Sequence, residues 1–256
     1  MSGQTQDTLV VQQFGAQASA YLASAVHAAG EDLAALAALA HGRREARVLD
    51  MGTGGGHVVY AVAPHVAEVV AYDLSAEMLA VVARTAAERG LANVVTQQGR
   101  AEQVPFPDAS FDMVVSRYSA HHWGDFDAGL REAVRVAKPG ATVGFVDVVS
   151  PGRPVLDTYL QAIEVLRDTS HVRDRSRGEW EAAAARAGLD SGAVATFRVW
   201  LDFATWVARM RTPPHMVAAI RALQEAAAGD VRRHFAIEPD GSFTIDVALF
   251  AFRKPG

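Results

Sequence analysis

Apolar positions recur at helical spacing over residues 14–40, with Ala and Leu prominent, and Gly42 then offers a stop. Beyond it the pattern changes to short apolar runs divided by polar or glycine-containing segments. Residues 47–50 read as a buried strand that runs into the cluster Gly52-Thr53-Gly54-Gly55-Gly56. Residues 58–63 read as a helix ending near Pro64, and 68–72, β-branched and apolar, as a second strand closed by Asp73. Ser75 is a fitting N-cap for a helix to Arg89, with Gly90 just past its end. Residues 93–98 and 111–116 read as the third and fourth strands. A helix around 126–137 stops before Lys138-Pro139-Gly140, and 141–149 form a fifth strand.

The second half is less regular. Residues 154–168, 178–187, 203–210 and 214–228 carry helical patterns, and 194–201 and 242–252 read as strands. Strands alternating with helices predict βαβ units and a sheet covered on both faces. The expectation is an α/β fold: a Rossmann-like, doubly wound, mostly parallel seven-stranded sheet with inserted helices in the second half. Pro151-Gly152-Arg153-Pro154 is the most plausible seam, but the last strand is expected to return to the first sheet, which makes residues 1–256 one domain.

Half of the 256 residues are hydrophobic, enough for a sizeable core and against disorder. Twenty-four Lys and Arg against 29 Asp and Glu leave a net charge of −5, which lacks the footprint of a nucleic-acid binder. There is no cysteine, so disulfides, thiolate metal sites, iron–sulfur clusters and cysteine nucleophiles are excluded. The opening MSGQTQDTLV has no basic residue and no leader-like apolar run. The longest apolar stretch, residues 33–40, is far short of the roughly 18 residues a membrane span needs. A soluble cytoplasmic protein is expected.

The glycine cluster carries the most chemistry. Glycines at the carboxyl end of a strand permit a tight turn and close approach of a ligand to the backbone. A dinucleotide fingerprint G-x-G-x-x-G fails, because counting from Gly52 and Gly54 puts His57 at the third position. The pattern that fits is acid-x-G-x-G-x-G, with Asp50, Gly52, Gly54 and Gly56. An acid before the first glycine does not help a pyrophosphate; it suits a ligand with an ammonium or sulfonium group. Asp73, at the end of the second strand, would lie beside this loop and could accept both hydroxyls of a ribose.

With these segments the chain resembles the class I S-adenosylmethionine-dependent methyltransferases, and more narrowly the ubiquinone/menaquinone-biosynthesis type. The resemblance rests on residues 48–56, on Ala71-Tyr72-Asp73-Leu74-Ser75 with Met78, on GRAEQVPFPDASFD (99–112) and on Arg135-Val136-Ala137-Lys138-Pro139-Gly140. It covers roughly residues 45–150. It implies S-adenosylmethionine as cofactor and methyl transfer to a small organic acceptor by in-line displacement, with no metal. It places Asp50 and the backbone at Gly52, Gly54 and Gly56 around the methionine part, Asp73 on the ribose and Leu74 against one adenine face, with Met78 also in the cofactor site. Ala101 and Glu102 would lie near the adenine rim, and Ser116 and Arg117 near the methionyl group. Arg100 stands where many relatives carry an acid, so adenine recognition is expected to rest on backbone groups. Residues 1–44 would form a helical lid, 45–150 the cofactor core, and 151–256 acceptor-side helices with returning strands.

On the acceptor side, Tyr118-Ser119-Ala120-His121-His122-Trp123 follows the fourth strand. A histidine there could accept a proton, so His121 and His122 are candidate catalytic residues, beside simple packing for His122 and Trp123. As a metal site the pair is weak, with no third ligand at recognisable spacing. Gln12, Phe14, Ala18 and Tyr21 lie at near-helical spacing, which reads first as amphipathic packing. The resemblance implies an N-terminal lid helix, in which Phe14 and Tyr21 would cover the transferred methyl group, Tyr21 as a further candidate catalytic residue. Arg173, Arg175 and Arg177, bracketed by Asp168, Asp174 and Glu179, read as a solvated mixed-charge helix start. Two other functions remain open at this point: an NAD(P)-dependent oxidoreductase, and a non-catalytic S-adenosylmethionine-binding protein. A homodimer is compatible with the chain.

Overall fold

A computed structural model describes residues 5–15 and 30–256. The predicted strands become β1 (Arg47–Met51), β2 (Glu68–Asp73), β3 (Val94–Gln98), β4 (Phe111–Arg117), β5 (Ala137–Val148), β6 (Asp190–Leu201) and β7 (Phe243–Arg253). They form one seven-stranded sheet in the order β3-β2-β1-β4-β5-β7-β6. The first five pair in parallel, and β7 runs antiparallel between β5 and β6. Val48, Leu49 and Met51 of β1 are all fully buried, as expected of a strand covered on both faces.

The helices are α1 (Gln6–Gly15), α2 (Glu31–Ala38), α3 (His57–Val62), α4 (Ala76–Glu88), α5 (Phe126–Val136), α6 (Pro154–Arg167), α7 (Arg177–Arg186), α8 (Phe203–Arg209), α9 (Pro214–Ala226) and α10 (Gly229–His234). Ser75 caps α4 as predicted, its hydroxyl accepting from the Met78 N–H at 3.2 Å. α7 begins with a full capping box between Ser176 and Glu179. Two apolar clusters lie on opposite faces of the sheet. One gathers α2, α3 and the aromatic residues of α8; the other is built around Trp180, whose ring packs against Phe126, Phe145 and Phe250 at 4.7–5.2 Å.

Three expectations shift. A helix precedes residue 14, since α1 starts at Gln6, and Ala18 and Tyr21 lie outside the described residues. β5 starts at Ala137 rather than 141, because Ala137 pairs with Phe111 before the register shifts at Phe111/Met113. α10 was not foreseen; six residues are too few to leave a readable period. Among the described residues no helix is long and apolar enough to cross a membrane.

Since β1 lies between β2 and β4, the chain leaves β1 and β4 toward opposite sides of the sheet. A crevice opens at their carboxyl ends, where ligands of doubly wound sheets bind.

Candidate functional site: a cleft and an inner cavity

The crevice is built first by the turn after β1. Gly52, Gly54 and Gly56 all have positive φ, at 73°, 50° and 83°. At Gly52 a Cβ would also collide with the Ser119 side chain, so the turn needs glycine there on two grounds. The Gly52 and Thr53 amides donate to the Tyr72 carbonyl at 2.8 and 3.0 Å, tying the loop to the end of β2. Asp73 then accepts from the Gly54 N–H at 2.8 Å and the Ser75 N–H at 2.9 Å, one on each carboxylate oxygen. Burial pushes its carboxyl above the usual range, against these backbone donors.

Around this loop lies a cleft of about 1060 Å³. Its floor is Gly52–Gly55, its sides include Asp73, Leu74, Met78, Ala101 and Glu102, and its inner end is Arg117, Tyr118 and His122. Arg117 is buried and pairs with Asp32 of α2 at 2.7 Å. Helix α1 lies over the opening: Asp7, Val10 and Phe14 line the cleft, and Asp7 pairs with Arg100 at 3.1 Å. Gln6 donates to the Ser170 carbonyl at 2.6 Å, and the Phe14 ring meets His122 edge-on at 4.9 Å.

Behind Phe14, Tyr118 and His122, which line both spaces, is a second cavity of about 640 Å³. Tyr118 holds a positive φ of 52°, an uncommon backbone for a bulky residue, at the wall between them. The inner cavity is lined by His121, Glu164, Arg167, Asp168, Asp174 and Arg209, with Trp206 and Ile245 among the apolar residues. The Val172 and Arg173 amides donate to the His121 carbonyl at 2.9 and 3.2 Å, which folds the segment after α6 onto the histidine pair.

The two histidines have opposite electrostatics. Burial works against charge on His121, but Asp147, by its charge and a 2.5 Å hydrogen bond to Nδ1, carries the pKa up to about 9. Burial and then the neighbouring His121 hold His122 down at about 4. The His122 Nδ1 lies 3.1 Å from the Ser170 carbonyl, which can only accept, so Nδ1 carries the hydrogen and Nε2 the lone pair.

This architecture has relatives. The profile described as a methyltransferase domain matches residues 49–145. The uncharacterized protein YafE of Escherichia coli (strain K12) is 50% identical over 203 residues, covering 79% of this chain and 98% of YafE. The uncharacterized methyltransferase YcgJ of Bacillus subtilis (strain 168) is 38% identical over 224 residues, 88% of each chain. The crystal structure of YcgJ superposes with a TM-score of 0.84 at 35% identity, covering 88% of this chain and 98% of that one. A candidate methyltransferase of Bacillus halodurans C-125 gives a TM-score of 0.85 at 32% identity, covering 89% and 100%. The chain belongs to the class I S-adenosylmethionine-dependent methyltransferases.

The cleft of this methyltransferase fits S-adenosylmethionine. Carboxylates suit the cofactor's ammonium and sulfonium charges, and Asp50 Oδ1, fully buried behind the floor, has no hydrogen-bond partner. With membership in this family, the nicotinamide-dependent alternative falls away.

The predicted residues divide into two layers. Gly52, Gly54, Asp73, Leu74, Met78, Ala101, Glu102, Arg117 and His122 line the cleft. Asp50, Gly56 and Ser116 stand behind its wall. Asp50 reaches it through the Thr53 hydroxyl, which donates to Oδ2 at 2.7 Å, and the Ser116 hydroxyl donates to the Met51 carbonyl at 2.7 Å. Glu102 accepts from the Asp125 N–H at 3.2 Å. His121 faces the inner cavity alone. The solvated reading of the segment around Arg173 is corrected for two residues: Asp168 and Asp174 are buried on the inner cavity wall, because the segment folds back under His121. Sequence reasoning missed Asp147 and Glu164 as parts of the site, and nothing in their local pattern marks them; Thr53 sits inside the glycine cluster, but the sequence assigns it no role there.

Asp50 yields a prediction with a definite sign. Burial pushes its carboxyl up to about 7 from 3.8, with the Thr53 hydroxyl opposing and Asp73 reinforcing the rise. The native state therefore holds this proton across a window in which the unfolded chain has lost it. Its contribution to stability is fully present below the unfolded value and is lost as pH rises through about 7. Asp50→Asn, isosteric and uncharged, is expected to stabilise the cofactor-free protein at about pH 8, by up to about 1.4 kcal/mol per pH unit of that window. The gain should vanish near pH 4. Urea midpoints of both proteins at the two pH values check this; a gap independent of pH contradicts it.

Proposed function

We propose that this methyltransferase modifies a small organic acceptor held in the inner cavity, and that His122, in the shared wall, accepts the acceptor's proton. The observation that carries the reading is the pair of spaces meeting at Phe14, Tyr118 and His122. The wall it shares with the cleft puts an acceptor held there beside the cofactor.

In this reading Asp73 holds the ribose, Leu74 and Met78 flank the adenine, and the Gly52–Gly55 backbone with Asp50 behind it faces the methionine part. When bound, S-adenosylmethionine supplies an electrophilic methyl group on a sulfonium sulfur, open to in-line displacement. The protein contributes alignment, exclusion of water and a proton acceptor. Phe14 and the rest of α1 cover the cleft, and Gln6 and Asp7 fasten that helix to the Ser170 carbonyl and Arg100. The Ser170 carbonyl pins the His122 tautomer with Nε2 unprotonated, 4.0 Å from Asp168 Oδ2. An O–H or N–H donor between these two acceptors would be oriented by the carboxylate and deprotonated by the imidazole.

Incubation with methyl-tritiated S-adenosylmethionine and a fractionated extract of small metabolites tests this reading. Label is expected in a low-mass product. Label found only in added protein or nucleic acid would overturn the acceptor class, and bound cofactor with no labelled product would favour a non-catalytic binder.

A further inference from the structure

Asp147, Glu164, Asp168 and Asp174 surround the histidine pair, with the guanidiniums of Arg167 and Arg209 on the same wall. A nitrogen of His121 and carboxylate oxygens of Asp147 and Asp174 lie within 4.8 Å of one another. Asp174 is 2% exposed, lines the cavity, and its Oδ2 has no hydrogen-bond partner, with His171 Nε2 3.8 Å away. A buried carboxylate oxygen without a hydrogen bond is costly, and such a group calls for an explanation.

The arrangement around His121 supplies one. Its Nδ1 is held by Asp147 Oδ1 at 2.5 Å, and Asp147 is fixed in turn by the backbone amides of Val148 at 2.9 Å and His121 at 3.2 Å. A histidine oriented through Nδ1 by a carboxylate presents Nε2 as a ligand, the common outer-shell arrangement at metal-binding histidines.

We propose that the inner cavity binds one divalent transition-metal ion through His121 and Asp174, with Asp147 orienting His121. Mixed imidazole and carboxylate ligation suits Mn²⁺ or Zn²⁺ better than a hard ion bound by oxygen alone. The ion takes the place of a proton on the His121 ring. It would face the wall shared with the cofactor cleft, favouring an acceptor with an oxygen or nitrogen donor beside the methylated atom. That last point rests on the proposed acceptor cavity; the ion itself does not.

The test is metal content and thermal stability of the full chain, stripped with chelator and dialysed against Zn²⁺ or Mn²⁺. Wild type is expected to retain one equivalent of at least one of these ions and to melt at a higher temperature with it. Asp174→Asn should lose the ion, and Asp147→Asn should weaken it roughly 10–100-fold. Both variants should still bind S-adenosylhomocysteine with wild-type affinity, which shows them folded and keeps this test separate from the cofactor assignment. Should Asp174→Asn fail to fold, His121→Gln replaces it with the same expected loss. Retention of neither ion by wild type, or retention unchanged in the folded variant, overturns the proposal.

Discussion

Asp73→Ala is expected to weaken S-adenosylhomocysteine binding by roughly 100-fold or more. Two effects combine. The proposed ribose contacts are hydrogen bonds to a charged acceptor in a buried site, each contributing about 1.5–3 kcal/mol. The same carboxylate also fixes the glycine turn, through the Gly54 amide at 2.8 Å, and the start of α4, through the Ser75 amide at 2.9 Å. Alanine removes both, and the turn that approaches the ligand keeps only its backbone bonds to the Tyr72 carbonyl. Asp73→Asn keeps one acceptor oxygen and should fall between wild type and alanine. Calorimetric titration of the three proteins, with thermal melts to confirm folding, reads the ranking. An affinity for Asp73→Ala within a few-fold of wild type would remove Asp73 from the cofactor site.

Why this residue could be found in the sequence, and others could not, follows from the distances involved. The turn after β1 and the acid ending β2 each sit inside a short segment with its own signal: glycines where φ is positive, and an acid closing a β-branched run. The five parallel strands and most helices were equally legible, because burial on both faces leaves continuous apolar runs and caps leave polar punctuation. The strand boundary at Ala137 was not, since it depends on pairing with Phe111, a contact between two strands. The inner cavity was less legible still. Asp147, Glu164, Asp168 and Asp174 come from β5, from α6 and from the segment after it, and each alone looks like an ordinary surface acid. Backbone bonds from residues 172 and 173 to the His121 carbonyl, and the Ser170 carbonyl against His122, bring that segment under the histidines.

His122 shows the same limit. The sequence marks it as a possible base or a packing residue, and the choice turns on a carbonyl 48 residues away. With Nδ1–H committed to Ser170, Nε2 is the free acceptor, placed where the cleft and the inner cavity meet. General-base catalysis by a positioned side chain contributes about 10²–10⁴-fold. Glutamine at this position keeps polarity and much of the volume, but has no ring nitrogen to take a proton. Because the Phe14 contact is an edge-on ring contact rather than a cofactor ligand, cofactor affinity should change little.

The decisive measurement is the rate of label transfer from methyl-tritiated S-adenosylmethionine at saturating cofactor, wild type against His122→Gln, on the same metabolite fraction. The account predicts a loss of about 100-fold or more with S-adenosylhomocysteine affinity unchanged. A variant that transfers label within about twofold of the wild-type rate would contradict it, because methyl transfer would then need no proton acceptor in the wall between the two cavities.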